Sequence, residues 1–94
     1  MSDYQFINSY LDNFSKLLKP DADIIESLIQ IRNLLVDIKK NRKKVLIFGN
    51  GGSSAIASHF SIDLTKNTKI QCLNFNEAAL ITCFSNDYGY EHWV

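Results

Sequence analysis

Val45-Leu46-Ile47-Phe48-Gly49-Asn50-Gly51-Gly52-Ser53-Ser54, residues 45–54, is the stretch that decides the fold. Its first four residues are a short unbroken apolar run, the mark of a strand covered on both faces, as parallel sheets require. Three glycines within four positions and a pair of serines follow. Glycine permits positive φ and close backbone approach, and the helix opened by such a turn presents unpaired N–H groups and a positive dipole end. Ser53 and Ser54 add hydroxyl donors, so the turn is expected to hold an anion, the phosphate of a small sugar, with no lysine in the loop. The alternative is an ordinary strand-to-helix turn that binds nothing.

Downstream, Ser54 through about Lys66 reads as a helix with Ala55, Ile56, Phe60 and Leu64 toward the sheet. Lys69 to Phe75 reads as a second strand from its β-branched and aromatic content. Asn76 is placed to cap a further helix from Glu77 to about Phe84, and Ser85-Asn86-Asp87-Tyr88-Gly89 reads as a loop. Strand, helix, strand and helix in succession spell an α/β unit with a parallel sheet over residues 43–94. A doubly wound sheet has about five strands, and this sequence supplies two. Tyr90-Glu91-His92-Trp93-Val94 is apolar, aromatic and without a stop signal. The sheet is therefore expected to be incomplete, the first half of a longer protein.

Upstream, residues 1–42 read as a helical hairpin. Ser2 and Gln5 have the spacing of a capping box, and Ile7, Leu11, Phe14 and Leu18 form one helical stripe that Pro20 stops. Asp21 and Asp23 open a second helix, in which Ile24, Leu28, Ile31, Leu35 and Ile38 make a heptad seam. Ile25, Ile29 and Val36 mark another apolar face beside it. A helix apolar on two sides must bury both. The first helix covers one, so the other is expected to meet a second subunit in a homodimer or tetramer; the alternative puts that face on the sheet.

Composition narrows the class. The 94 residues are 46% apolar and 21% charged with a formal net charge of zero, a globular chain without the clustered cations that a nucleic-acid footprint needs. The one basic run, Lys39-Lys40-Asn41-Arg42-Lys43-Lys44, sits where a helix ends and a strand begins and reads as solvated punctuation, favourable at a helix C-terminus. Cys72 and Cys83 lack metal-ligand spacing and read as reduced core residues. No signal peptide and no membrane-length apolar run is present, so the expectation is a cytoplasmic protein with neither nucleic-acid nor membrane partners.

Chemistry narrows it further. Gly49, Gly51 and Ser54 make a defective dinucleotide fingerprint, and no Gly-Lys-Ser/Thr is present for a nucleotide P-loop. A sugar phosphate therefore suits the turn better than NAD, although a nucleotide-dependent oxidoreductase stays open as a weaker reading. His59 and Asp63 lie four apart and share a helix face. Imidazole plus carboxylate can bind a metal or move protons, but spacing alone favours a structural pair. Asp87 can reach the carboxyl end of the sheet, where such folds bind ligands, or serve as a local cap.

Gly49-Asn50-Gly51-Gly52-Ser53, then His59-Phe60, Asp63-Leu64, and later Ser85-Asn86-Asp87-Tyr88-Gly89-Tyr90, resemble the sugar isomerase (SIS) domains of the phosphoheptose isomerase group over almost the whole chain. The resemblance implies a three-layer SIS-type, flavodoxin-like parallel sheet behind an oligomer-forming helical hairpin. It implies aldose–ketose isomerisation of sedoheptulose 7-phosphate to glycero-manno-heptose 7-phosphate through an enediol, feeding bacterial surface glycans. By the same resemblance Asn50, Gly51, Gly52, Ser53 and Asp87 contact substrate and His59 helps bind zinc. Asp63 stands where the family has a glutamate that is both zinc ligand and proton-transfer base, one methylene and about 1.5 Å shorter in reach. A serine-rich phosphate loop and late Gln and His residues of the family would lie beyond Val94. These 94 residues alone are therefore expected to lack isomerase activity. The other reading is a non-catalytic SIS domain that binds phosphosugars or a protein partner.

Overall fold

In the computed structural model, which describes residues 1–94, the elements run α1 (Asp3–Leu17), α2 (Ala22–Lys40), β1 (Lys44–Ile47), α3 (Gly52–Thr68), β2 (Gln71–Asn74) and α4 (Ala78–Tyr88), closed by a 3-10 turn at Tyr90–His92. The chain separates into two compact units, Met1–Asn33 and Leu34–Val94, with the boundary inside α2. No helix is long and apolar enough to cross a membrane.

The first unit is helical for reasons its sequence states. Ser2 Oγ accepts the Gln5 N–H at 3.2 Å while Gln5 Oε1 accepts the Ser2 N–H at 2.9 Å, the reciprocal capping box. Asp21 Oδ1 accepts the Ile24 N–H at 2.9 Å and opens α2. Such caps contribute about 1 kcal/mol each. Neither helix buries a residue. Ile7, Leu11 and Phe14 on α1, and Ile24, Leu28 and Ile31 on α2, all lie open.

The second unit holds the sheet. β1 and β2 pair in parallel, Lys44 opposite Gln71 through Ile47 opposite Asn74, and α3 connects them and lies against β2. The buried residues are few: Ala57, Ser61 and Leu64 on α3, Ile70 before β2, and Trp93. A mixed helix-and-strand unit with a parallel pair is thus present. Coverage of β1 on both faces is not: Val45 and Ile47 are half-buried, whereas Leu46 is 52% exposed, because one crossover helix covers one face of two strands.

Four further expectations change. The sheet-facing stripe of α3 is Ala57, Ser61 and Leu64, spaced by four and three; of the expected set only Leu64 is buried, while Ala55, Ile56 and Phe60 are exposed. Small side chains win the contact because they let the helix backbone approach the strands closely. Residues 85–88 are the last turn of α4 and not a loop, so Asp87 is helical. The helix needs only a terminator, and Gly89 supplies it at φ 94°, its N–H donating to the Ser85 carbonyl at 2.9 Å. Its start is capped by Glu77 Oε2 on the Leu80 N–H at 2.9 Å, while the Asn76 amide donates instead to Ser58 Oγ. Finally, Cys83 is exposed and outside the core. Cys72 is half-buried, and that burial pushes its thiol up from the usual range.

Candidate functional site

Strand β1 delivers the chain to the glycine turn, and the turn folds back to start α3. Gly51 takes φ 56° and ψ −126° at the N-cap, a conformation glycine adopts without steric cost. Gly49 is required for space: a Cβ there would run into the carbonyl of Ser53. The Ser53 N–H donates to the Asn50 carbonyl at 3.0 Å, the Ser54 N–H to the Gly51 carbonyl at 3.0 Å, and Ser54 Oγ to that same carbonyl at 2.5 Å. The amides of Gly51 and Gly52 and the hydroxyl of Ser53 have no acceptor in the chain. Half of the donors counted on for an anion are therefore engaged locally, and the other half stand free and exposed at a helix N-terminus.

Asn50 is fixed from a distance. Its Oδ1 accepts the indole N–H of Trp93 at 2.9 Å, which leaves the amide Nδ2 free to donate outward. Trp93 meets Phe48 edge-on with centroids 6.1 Å apart, and Phe48 stacks on Phe75 at 4.7 Å. These three rings cluster just past the carboxyl ends of both strands. With Leu80, Phe84 and Tyr88 of α4 they line a cavity of ≈ 410 Å³. No spacing rule links residues 50 and 93. The signal available in the sequence was a lone tryptophan in an aromatic ending.

His59 and Asp63 come together as α3 neighbours, Nδ1 to Oδ2 at 3.0 Å, with side chains 77% and 46% exposed. At about 100° per residue they share the line of Gly52, roughly 120–180° around the helix from the buried Ala57–Ser61–Leu64 stripe. The pair therefore faces away from the sheet. Asp87 makes no hydrogen bond to either: its Oδ1 accepts from Asn86 Nδ2 at 3.2 Å, its Oδ2 faces Cys83 Sγ at 3.9 Å, and it does not line the aromatic cavity. His59 and Asp63 are hydrogen-bonded to each other, and Asp87 is hydrogen-bonded neither to them nor to the turn.

As a metal site the pair is insufficient. No three His, Cys, Asp or Glu side chains gather anywhere in the chain. Two donors do not make the four-coordinate site that zinc takes, and an Asp bonded to Nδ1 of a His is the arrangement of an orienting partner that leaves Nε2 as the free nitrogen. The residues present do not by themselves fit zinc.

Comparison with known proteins adds sequence relatives. The chain is 37% identical over 98 residues to the phosphoheptose isomerase of Helicobacter pylori (strain ATCC 700392 / 26695), covering 97% of this chain and 50% of the relative. It is 30% identical over 92 residues to that of Geotalea uraniireducens, covering 90% and 49%, and 37% identical over 86 residues to that of Proteus mirabilis, covering 86% and 44%. The chain thus spans about half the length of the curated relatives it matches. No family model matches it. No solved structure matches it either.

Proposed function

We propose, starting from a chain that belongs to the phosphoheptose isomerase family, that it forms the substrate-binding start of a sugar-phosphate isomerase of SIS type. The observation that carries this reading is the turn with two unpartnered amides, Gly51 and Gly52, and one unpartnered hydroxyl, Ser53, at the head of α3. The reaction proposed for the full-length protein moves one proton from C1 of sedoheptulose 7-phosphate to C2, and one hydroxyl proton from O1 to O2, through an enediol. His59 lies seven residues beyond Gly52 on the same helix line, a rise of about 10 Å. An extended seven-carbon chain with ~1.5 Å bonds reaches roughly as far, so a phosphate held at the turn leaves the carbonyl end near His59 and Asp63. Asp63 Oδ1 is free there to accept a proton. Zinc, which the resemblance implies, would need donors beyond these two, and no step is assigned to it.

Titration of the chain with sedoheptulose 7-phosphate, followed by backbone amide NMR, tests the binding claim. Shifts are expected at Gly51, Gly52 and Ser53, with none for the unphosphorylated sugar. Ser53→Ala should weaken binding about tenfold, the worth of one hydrogen bond to a charged group. Shifts elsewhere but not at the turn would overturn the assignment. The non-catalytic reading is favoured by one observation, that Asp63 spends an oxygen on His59. Sugar binding without turnover in a full-length form would support it.

The open stripes on α1 and α2 support a homo-oligomer, as dimer or tetramer. Light scattering is expected to report a mass at least twice 10.7 kDa; a monomer at high concentration would rule the bundle out.

A further inference from the structure

The end of the sheet opposite the glycine turn, about one strand length or 13 Å away, carries a second feature that the isomerase reading does not use. Lys39 from the last turn of α2, Arg42 and Lys43 from the loop after it, and Lys69 at the C-cap of α3 wall a cavity of ≈ 220 Å³ whose remaining lining is Ile70 and Gln71. No carboxylate lines it. The chain's two ion pairs are His59–Asp63 and Glu91–His92, so none of the four cations has an acidic partner. We infer that this cavity binds a small polyphosphate anion of the pyrophosphate class.

Helix punctuation accounts for part of the cluster and fails on the rest. Cations in the last turn of a helix favour its dipole, and Lys69 Nζ donates to the Lys66 carbonyl at 3.0 Å, which leaves two of its three donors free. But Arg42 and Lys69 are the two non-glycine residues at positive φ, 53° and 62°. Arg42 closes α2 in a Schellman arrangement, its N–H donating to the Lys39 carbonyl at 3.1 Å and that of Lys43 to the Ile38 carbonyl at 2.9 Å. Lys69 closes α3 with its N–H on the Thr65 carbonyl at 3.1 Å. Glycine is the usual occupant of both positions and is the less strained one. Two independent helix ends thus carry a cationic residue where the backbone favours glycine, and both residues line the same cavity. A strained backbone at two cationic residues that line one cavity points to a ligand they share. The two carbonyl-rich helix ends raise the local negative potential, so a monoanion is attracted weakly. An anion of three or four charges meets several cations at once, which selects the polyphosphate class.

Amide NMR titration of the chain with sodium pyrophosphate tests this at about 0.01 M ionic strength, where charges are felt over about 30 Å. Saturable shifts are expected at Lys39, Arg42, Lys43 and residues 69–71, with affinity falling roughly tenfold by physiological salt. Arg42→Gly and Lys69→Gly suit the backbone, so both should stay folded, while each weakens binding about fivefold. Lys43→Gln, outside the positive-φ positions, should weaken it similarly, and Lys19→Gln in the first unit should not. Parental affinity in the Arg42→Gly/Lys69→Gly double variant, or shifts spread over all lysines without saturation, would overturn the site. ATP matching pyrophosphate at the same amides identifies a nucleotide tail as the source, and ATP binding far more weakly identifies free pyrophosphate; either supports the inference. Duplex DNA binding more tightly than pyrophosphate at equal phosphate concentration would replace it with a nucleic-acid surface.

Discussion

Trp93→Ala is expected to lower the thermal midpoint of the second unit by at least about 12 °C, the largest effect of any single truncation in the chain. Trp93 is the largest of the few buried side chains, 6% exposed in a unit whose other buried residues are Ala57, Ser61, Leu64 and Ile70. Truncating a buried tryptophan costs about 3–5 kcal/mol, and each kilocalorie shifts a domain of this size by about 4–8 °C. The loss includes the edge contact with Phe48 and the hydrogen bond to Asn50. Trp93→Phe separates the two: it keeps a ring against Phe48 and removes only the N–H, a cost of about 1 kcal/mol. Circular-dichroism melts of both variants check the order. If Trp93→Ala melted within two or three degrees of the parent, the aromatic cluster would not be what holds the closing segment to the sheet. Trp93→Phe also frees the Asn50 side chain, so its sugar-phosphate affinity is expected to fall while its fold survives.

What the sequence made legible was local. The capping box at Ser2 and Gln5, the Asp21 cap and the glycine turn rest on interactions between residues at most four apart, and local spacing encodes those. Both strands were legible to within two residues from their apolar and β-branched runs, although the ladder itself joins Lys44 to Gln71. The Asn50–Trp93 bond joins residues 43 positions apart, and no periodicity carries such a contact. The α3 face went wrong for a related reason. Hydrophobicity selects Ile56 and Phe60, whereas close approach of a helix to two short strands selects Ala57 and Ser61. Asp87 was misplaced because Ser85-Asn86-Asp87 has weak helix propensity, and packing of Phe84 and Tyr88, with rings 6.0 Å apart, overrides it. Charge and a place between a helix end and a strand start are all that the basic run shows in sequence. Its meaning lies in Arg42 and Lys69 sharing a cavity, and a linear reading does not place residue 69 beside residue 42.

Gly49→Ala is the second substitution with a large expected effect, and it acts through space alone. Gly49 has no positive φ to relieve, so alanine's own backbone preference is not at issue. The difficulty is that a Cβ at residue 49 would overlap the Ser53 carbonyl and crowd the Ser54 amide, both fixed backbone atoms of the first helical turn. A flexible side chain could swing aside; backbone at the head of α3 cannot move without breaking the bonds from Ser53 and Ser54 to Asn50 and Gly51. Overpacking of this kind costs about 1–3 kcal/mol and sometimes more. The whole turn must shift outward, carrying the free amides of Gly51 and Gly52 with it. Gly49→Ala should therefore both lower the melting midpoint and abolish the amide shifts produced by sedoheptulose 7-phosphate. Gly52→Ala, where an added Cβ meets nothing within 4 Å, should leave stability nearly unchanged. Equal stability of the two alanine variants would mean that the turn tolerates displacement, and with it the idea that close backbone approach sets the position of the anion-binding amides would fail.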